Sequence, residues 1–216
     1  MDFKKILPHI AAIIIFLTLS TVYFLPQTQG KVLSQTDIMQ VRSMASEIYQ
    51  YRKQGDNILW TNSQFSGMPT YQISFDQKTN ISKYIEKVSQ LFMPRPIGYF
   101  LGGMIVFYLA LVFMGVSPWL SIVGAIAFAF TTNNLVLYEA GHTSKVRVLM
   151  MCILIVVGMI KVFKKDYLLG GIVFAVGMAV SVFANHPQMV YYLGMVMAIY
   201  AVIATVDIIK KKDFGH

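Results

Sequence analysis

A chain of 216 residues that is 56% hydrophobic and only 13% charged carries about half the charge usual for a soluble domain. Its net charge of +8 would suggest a nucleic-acid surface in a soluble protein. Here, however, Lys4, Lys5, Lys161, Lys164, Lys165, Lys210, Lys211 and Lys212 flank apolar runs, where basic residues set membrane topology, so nucleic acid is not an expected partner. The single cysteine, Cys152, lies inside an apolar run, which excludes a disulfide framework and a thiol-based metal site.

Residues 1–25 place Lys4 and Lys5 ahead of an apolar run from Ile10 to Leu25, and Thr28-Gln29-Gly30 makes a poor signal-cleavage site. The segment is expected to be an uncleaved first membrane helix. A polar loop follows over 26–96. In LSQTDIMQVRSMASEIYQYRKQG, Ile38, Val41, Ala45 and Ile48 recur at helical spacing and Gly55 stands where a helix would end, which predicts an amphipathic surface helix over about 37–53. Asp37 at its start has two readings. It can cap the helix, worth about 1 kcal/mol, or it can serve as a reactive carboxylate, and spacing alone favours the cap.

The stretch LWTNSQFSGMPTYQISF, residues 59–75, reads as an ordered loop with turn chemistry at Ser66-Gly67 and Pro69. Its Trp60, Phe65 and Tyr71 fit interfacial anchors, or rings that stack on a sugar or lipid. Lys78 to Gln90 reads as a second short amphipathic segment, stopped by Met93-Pro94-Arg95-Pro96.

Five further apolar segments occupy 97–206, at about 97–114, 119–137, 148–163, 168–184 and 187–206, followed by a tail over 207–216. The expected fold class is an all-α polytopic membrane protein with about six transmembrane helices. Thr131, Thr132, Asn133 and Asn134 interrupt the second of these segments and are expected to bond between helices. Gly102-Gly103, Gly170-Gly171 and Gly177 are expected to permit close helix packing.

If six helices alternate, the basic clusters share one side, which the positive-inside rule makes the cytoplasm, with both termini on it. The other side then receives the 26–96 loop, EAGHTSKVR at 139–147, and Asn185-His186-Pro187-Gln188. A charge at helix centre costs about 2.5 to 3.5 kcal/mol, so Glu139, His142, Lys145 and Arg147 belong at the interface or in a watery cavity. A lone lysine there would simply snorkel outward. Taken together with Asn185 and His186, the cluster points to a binding site on the outer face.

The combination of KKILPH, SQTDIMQ, LWTNSQFSGMPTYQI, EAGHTSKVR and NHPQMVYYL resembles the amino-terminal part of the YfhO-type bacterial membrane proteins, which are grouped with the GT-C glycosyltransferases. The resemblance implies a GT-C-like module in a bacterial inner membrane, with juxtamembrane helices in its first outer loop. It also implies transfer of a sugar from a polyprenyl-phosphate carrier to an acceptor outside the cytoplasm. Asp37 falls at the position of the catalytic aspartate and Glu139 at that of an assisting acid. Lys145 and Arg147 would neutralise the carrier phosphate, with Asn185, His142 and His186 as further substrate contacts. A divalent cation, Mg or Mn, would need more ligands than Glu139-x-x-His142 supplies. Relatives of this kind are several times longer and many carry a pair of aspartates, so the missing carboxy-terminal part would be a partner. Two other classes remain open: a transporter of a lipid-linked or anionic substrate, which would ordinarily set its ionisable groups near midplane in broken helices, and a non-catalytic membrane scaffold.

Overall fold

The computed structural model describes residues 3–74 and 79–211. The chain begins with α1 (Phe3–Tyr23) and the single turn α2 (Leu25–Thr28), then α3 (Thr36–Met44) and α4 (Ser46–Lys53). A short antiparallel ribbon of β1 (Trp60–Thr61) and β2 (Met68–Pro69) pairs Trp60 with Pro69 and Thr61 with Met68, and α5 (Ser82–Ser89) follows. The remaining helices are α6 (Ile97–Phe113), α7 (Pro118–Ala129), α8 (Thr132–Ala140), α9 (Thr143–Phe163), α10 (Tyr167–Phe183) and α11 (Pro187–Lys211).

This is an all-α membrane protein. α1, α9 and α11 are long and apolar enough to cross a bilayer, and α7 with α8 meets the same test as one bent pair. α6 and α10 are apolar helices of 17 residues each. Ile14, Leu120, Leu168, Val202 and Ile203 stand exposed on the outside of the bundle. So large an apolar surface is untenable in water and suits lipid.

α6 is the centre of the packing and touches α1, α5, α7 and α9. One side of it buries Phe100, Leu101, Met104 and Tyr108 against Ala12 and Phe16 of α1, Ile122 and Ala125 of α7, and Val146 and Met150 of α9. The other side presents Val106 and Ala110 to Met151, Leu154 and Val157 of α9 and Val173 and Val180 of α10.

Three local expectations change. The segment 119–137 is not one helix but is bent by 49° between α7 and α8. At the bend, Thr131 Oγ1 and Asn134 Nδ2 both donate to the Phe128 carbonyl, at 3.0 and 2.8 Å. These side chains therefore satisfy their own backbone at a break instead of bridging helices. The surface helix over 37–53 is likewise two helices, α3 and α4, meeting at Ala45. Only Ala45 and Ile48 of its apolar stripe are buried, while Val41 stays exposed. α5 realises the later part of the second amphipathic segment, and Lys78 lies outside the described residues.

The glycines divide. A methyl group on Gly170 would lie 2.7 Å from Val162 N, and one on Gly177 2.7 Å from Ile155 Cγ1, so these positions do let α10 lie directly on α9. Gly158 of α9 works the same way from the other side, 2.5 Å from Phe174 N. Gly171 faces open space, because one residue along a helix turns the side chain away from the contact. Gly158→Val is therefore expected to destabilise the α9–α10 pair by about 1–3 kcal/mol or more, as forced overpacking does. Gly171→Ala should leave stability unchanged or slightly raised, both read as thermal unfolding in detergent.

Candidate functional site

The segment between α1 and α6 is folded back onto the helix ends by long-range bonds. Gln27 Nε2 donates to the Arg95 carbonyl, Gln35 Nε2 to the Tyr138 carbonyl, and Asn185 Nδ2 to the Tyr71 carbonyl. These bonds determine which of the polar residues meet.

The turn between α8 and α9 is made possible by Gly141, which closes α8 in the left-handed conformation at φ +88°. A side chain there would also collide with Gln35 Cβ at 2.9 Å and Ile38 Cγ1 at 3.1 Å. The start of α3 can thus rest on the turn, and His142 Nδ1 reaches the Asp37 carboxylate in a close polar contact. The two side chains are 49% and 32% exposed, so the pair is open to solvent.

Asp37 does not cap its helix. The cap position of α3 is Gln35, no side-chain cap bond is made there, and Asp37 accepts no hydrogen bond from its own helix amides among the described residues. Its carboxylate is directed at His142 instead.

Glu139, one turn before His142, is exposed and lines a cleft of about 550 Å³. The wall of the cleft is largely apolar, with Tyr23, Phe24, Leu33, Leu135 and Val136, and Lys31 supplies a cation. Tyr138 joins the same wall through an aromatic cluster with Phe24 and Phe100.

The other expected site residues go elsewhere. Lys145 and Arg147 are two apart on α9, a spacing that does not place them side by side. Lys145 makes no ion pair among the described residues, whereas Arg147 is bound in two-pronged fashion by Glu86 of α5. Its Nη2 lies 2.7 Å from Glu86 Oε2, and its guanidinium stands 4.9 Å from the centre of the Phe183 ring. The pair is 13% and 7% exposed, so removing one partner would strand the other charge at a cost of about 3–5 kcal/mol. Asn185 is used to hold the loop at Tyr71. His186 Nδ1 accepts from Met189 N at 3.4 Å in the first turn of α11. Neither lines the cleft that Glu139 lines.

Asp37 and His142 are thus brought together, with Glu139 nearby on the chain, and Arg147, Asn185 and His186 are engaged in other contacts. Among the described residues no three His, Cys, Asp or Glu side chains gather where they could hold a metal ion. The donor set does not fit a divalent-cation site.

Glu86 was not singled out from sequence. The signal was an arginine in the second turn of an apolar helix, which needs a counter-ion, and an acid inside the amphipathic segment Lys83-x-x-Glu86-Lys87 that could provide it. Glu47 is a second such case. Its carboxylate accepts from Thr61 Oγ1 and from Asn62 N (2.8 Å), tying the β1–β2 ribbon to α4. Comparisons with protein-family models, curated proteins and solved structures give no match to this chain.

The Thr61 hydroxyl first, and the Asn62 N–H second, hold the Glu47 carboxyl below the usual carboxylate range. A lowered folded value means that this contribution to docking the ribbon is fully present above the unfolded value, and is lost as pH falls through the lowered one. Amide exchange at Asn62 is therefore expected to stay protected at neutral and mildly acidic pH and to open only below the ordinary carboxylate range. Glu47→Gln should remove that acid transition.

Proposed function

We propose that the chain is a membrane glycosyltransferase of the kind its motifs resemble, moving a sugar from a polyprenyl-phosphate carrier to an acceptor hydroxyl on the outer face. The observation that carries the reading is the Asp37 carboxylate, which does not cap its helix and is paired with His142, three residues after the Glu139 that lines an apolar cleft. Apolar walls suit an isoprenoid chain, and Lys31 at the cleft provides a cation for its phosphate.

In this mechanism Asp37 takes the proton of the acceptor hydroxyl as its oxygen attacks the anomeric carbon of the sugar. The bond from that carbon to the phosphate oxygen breaks, and the carrier phosphate leaves with the electron pair. His142 holds the carboxylate in place through Nδ1. Glu139 stands as an assisting acid at the cleft. The amino-terminal, 161–165 and 210–212 basic clusters then face the cytoplasm of a bacterial inner membrane, and the Asp37–His142 side faces outward.

Asp37→Asn preserves shape but cannot accept a proton at neutral pH. It is expected to keep the melting temperature while lowering transfer by about 100-fold or more, measured in liposomes with a panel of polyprenyl-phosphate sugars. Retained transfer in the variant, or no transfer by the parent chain from any donor, would refute the reading. Orientation has its own test. With Cys152 replaced, single cysteines at Ser63→Cys and Ser144→Cys should react with a reagent applied from outside, and one at Lys165→Cys should not. The reverse pattern would invert the topology.

A further inference from the structure

Two buried polar groups beside α5 have no hydrogen-bond partner among the described residues: the Gln90 side-chain nitrogen and the Tyr99 hydroxyl. Gln90 is 6% exposed and Tyr99 2% exposed, so neither is free to turn to bulk water. Gln90 is seated there by two glycines of α6. A methyl group on Gly98 would lie 3.3 Å from Gln90 Cβ, and one on Gly102 3.2 Å from Gln90 Cγ. Burying a donor without an acceptor is unfavourable, and it is tolerated where a ligand supplies the acceptor.

Both side chains line a second cleft, of about 400 Å³, which shares no residue with the cleft of Glu139. Lys83, Lys87, Arg95 and Arg147 present four cations to it, against the single carboxylate of Glu86. Arg95 lies over the Tyr99 ring at 5.1 Å, which holds its charge at the cleft. Cations in excess, with neutral donors that lack acceptors, describe a site short of one multiply charged oxyanion.

We propose that this cleft binds a phosphate group. Glu86 occupies the position of an anion on Arg147, in the two-pronged geometry that a phosphate would also use. It acts as an internal stand-in and competes with the incoming phosphate. Gln90 and Tyr99 donate to phosphate oxygens that Glu86 does not reach, and Lys83 and Lys87 neutralise the remaining charge. Lys87 and Arg95 are exposed, which gives the group a way in. The site is separate from the Asp37–His142 pair and does not depend on sugar transfer.

The phosphate can come from solution or from a lipid headgroup at the membrane surface, and two probes distinguish these sources. The full chain is placed in phosphatidylcholine nanodiscs and titrated with inorganic phosphate. In parallel, retention of phosphatidylglycerol against phosphatidylcholine is read by native mass spectrometry. Whichever probe binds, Lys83→Gln with Lys87→Gln should weaken it by about tenfold or more, the effect of losing charge-assisted bonds. Glu86→Gln should tighten it, because the competing charge is gone and the side chain keeps its shape. Binding of inorganic phosphate with this ordering identifies a soluble ligand, and selective retention of phosphatidylglycerol with the same ordering identifies a headgroup. Binding of neither probe, or binding indifferent to the lysine pair, overturns the proposal, as does weaker binding in a folded Glu86→Gln variant. Lys87 is exposed and Lys83 half-buried, and neither makes an ion pair among the described residues, so the lysine pair decides the matter even where Glu86→Gln fails to fold.

Discussion

A charge at the end of an apolar helix must be neutralised before the helix can pack, and Arg147 imposes that requirement on this protein. The residue enters α9 where the helix meets α6 and α10, with most of its surface covered. Glu86 answers it with two parallel bonds, and in doing so draws α5 onto α6 and α10. The loop after α5 is then held close to the start of α6, where Gly98 and Gly102 leave room for it. Much of this end of the molecule follows from that one pairing, because breaking it would leave a charge buried without a partner.

The same economy of polar partners arranges the other half of that end. Gln35 satisfies the carbonyl of Tyr138 near the end of α8, and Gly141 lets α3 approach closely enough to do so. The Asp37–His142 contact is a consequence of that docking, since both residues lie within one turn of the anchoring contacts. Two clefts result, with different chemistry. One is apolar with a Lys31 and a Glu139 on its lining, and the other is strongly basic with buried donors. The two clefts share no lining residue, so each has its own chemistry.

The bend between α7 and α8 belongs to the same logic. Continuous apolar composition would carry a straight helix through 119–137, yet Thr131 and Asn134 turn back on Phe128 and make a break that leaves no backbone group wanting at that carbonyl. α8 can then set Tyr138 and Glu139 against the α3 region, which a straight helix along the α7 axis could not do.

Sequence alone determined the class of molecule, the positions of most apolar helices, the presence of amphipathic pieces in the loop after the first helix and the residues carrying unusual charge. Each of those is a local property, written in composition and in a period of 3.6. It did not determine which charge meets which. Spacing alone favours a cap for Asp37, and only the docking of α3 on the Gly141 turn shows its carboxylate turned to His142 instead. Lys145 and Arg147 read as a pair because they are close in the chain, whereas helical geometry sends them different ways and gives Arg147 to a glutamate 61 residues earlier. Pairings across such separations depend on how helices pack and on which buried groups would otherwise be unsatisfied, and no local pattern records either.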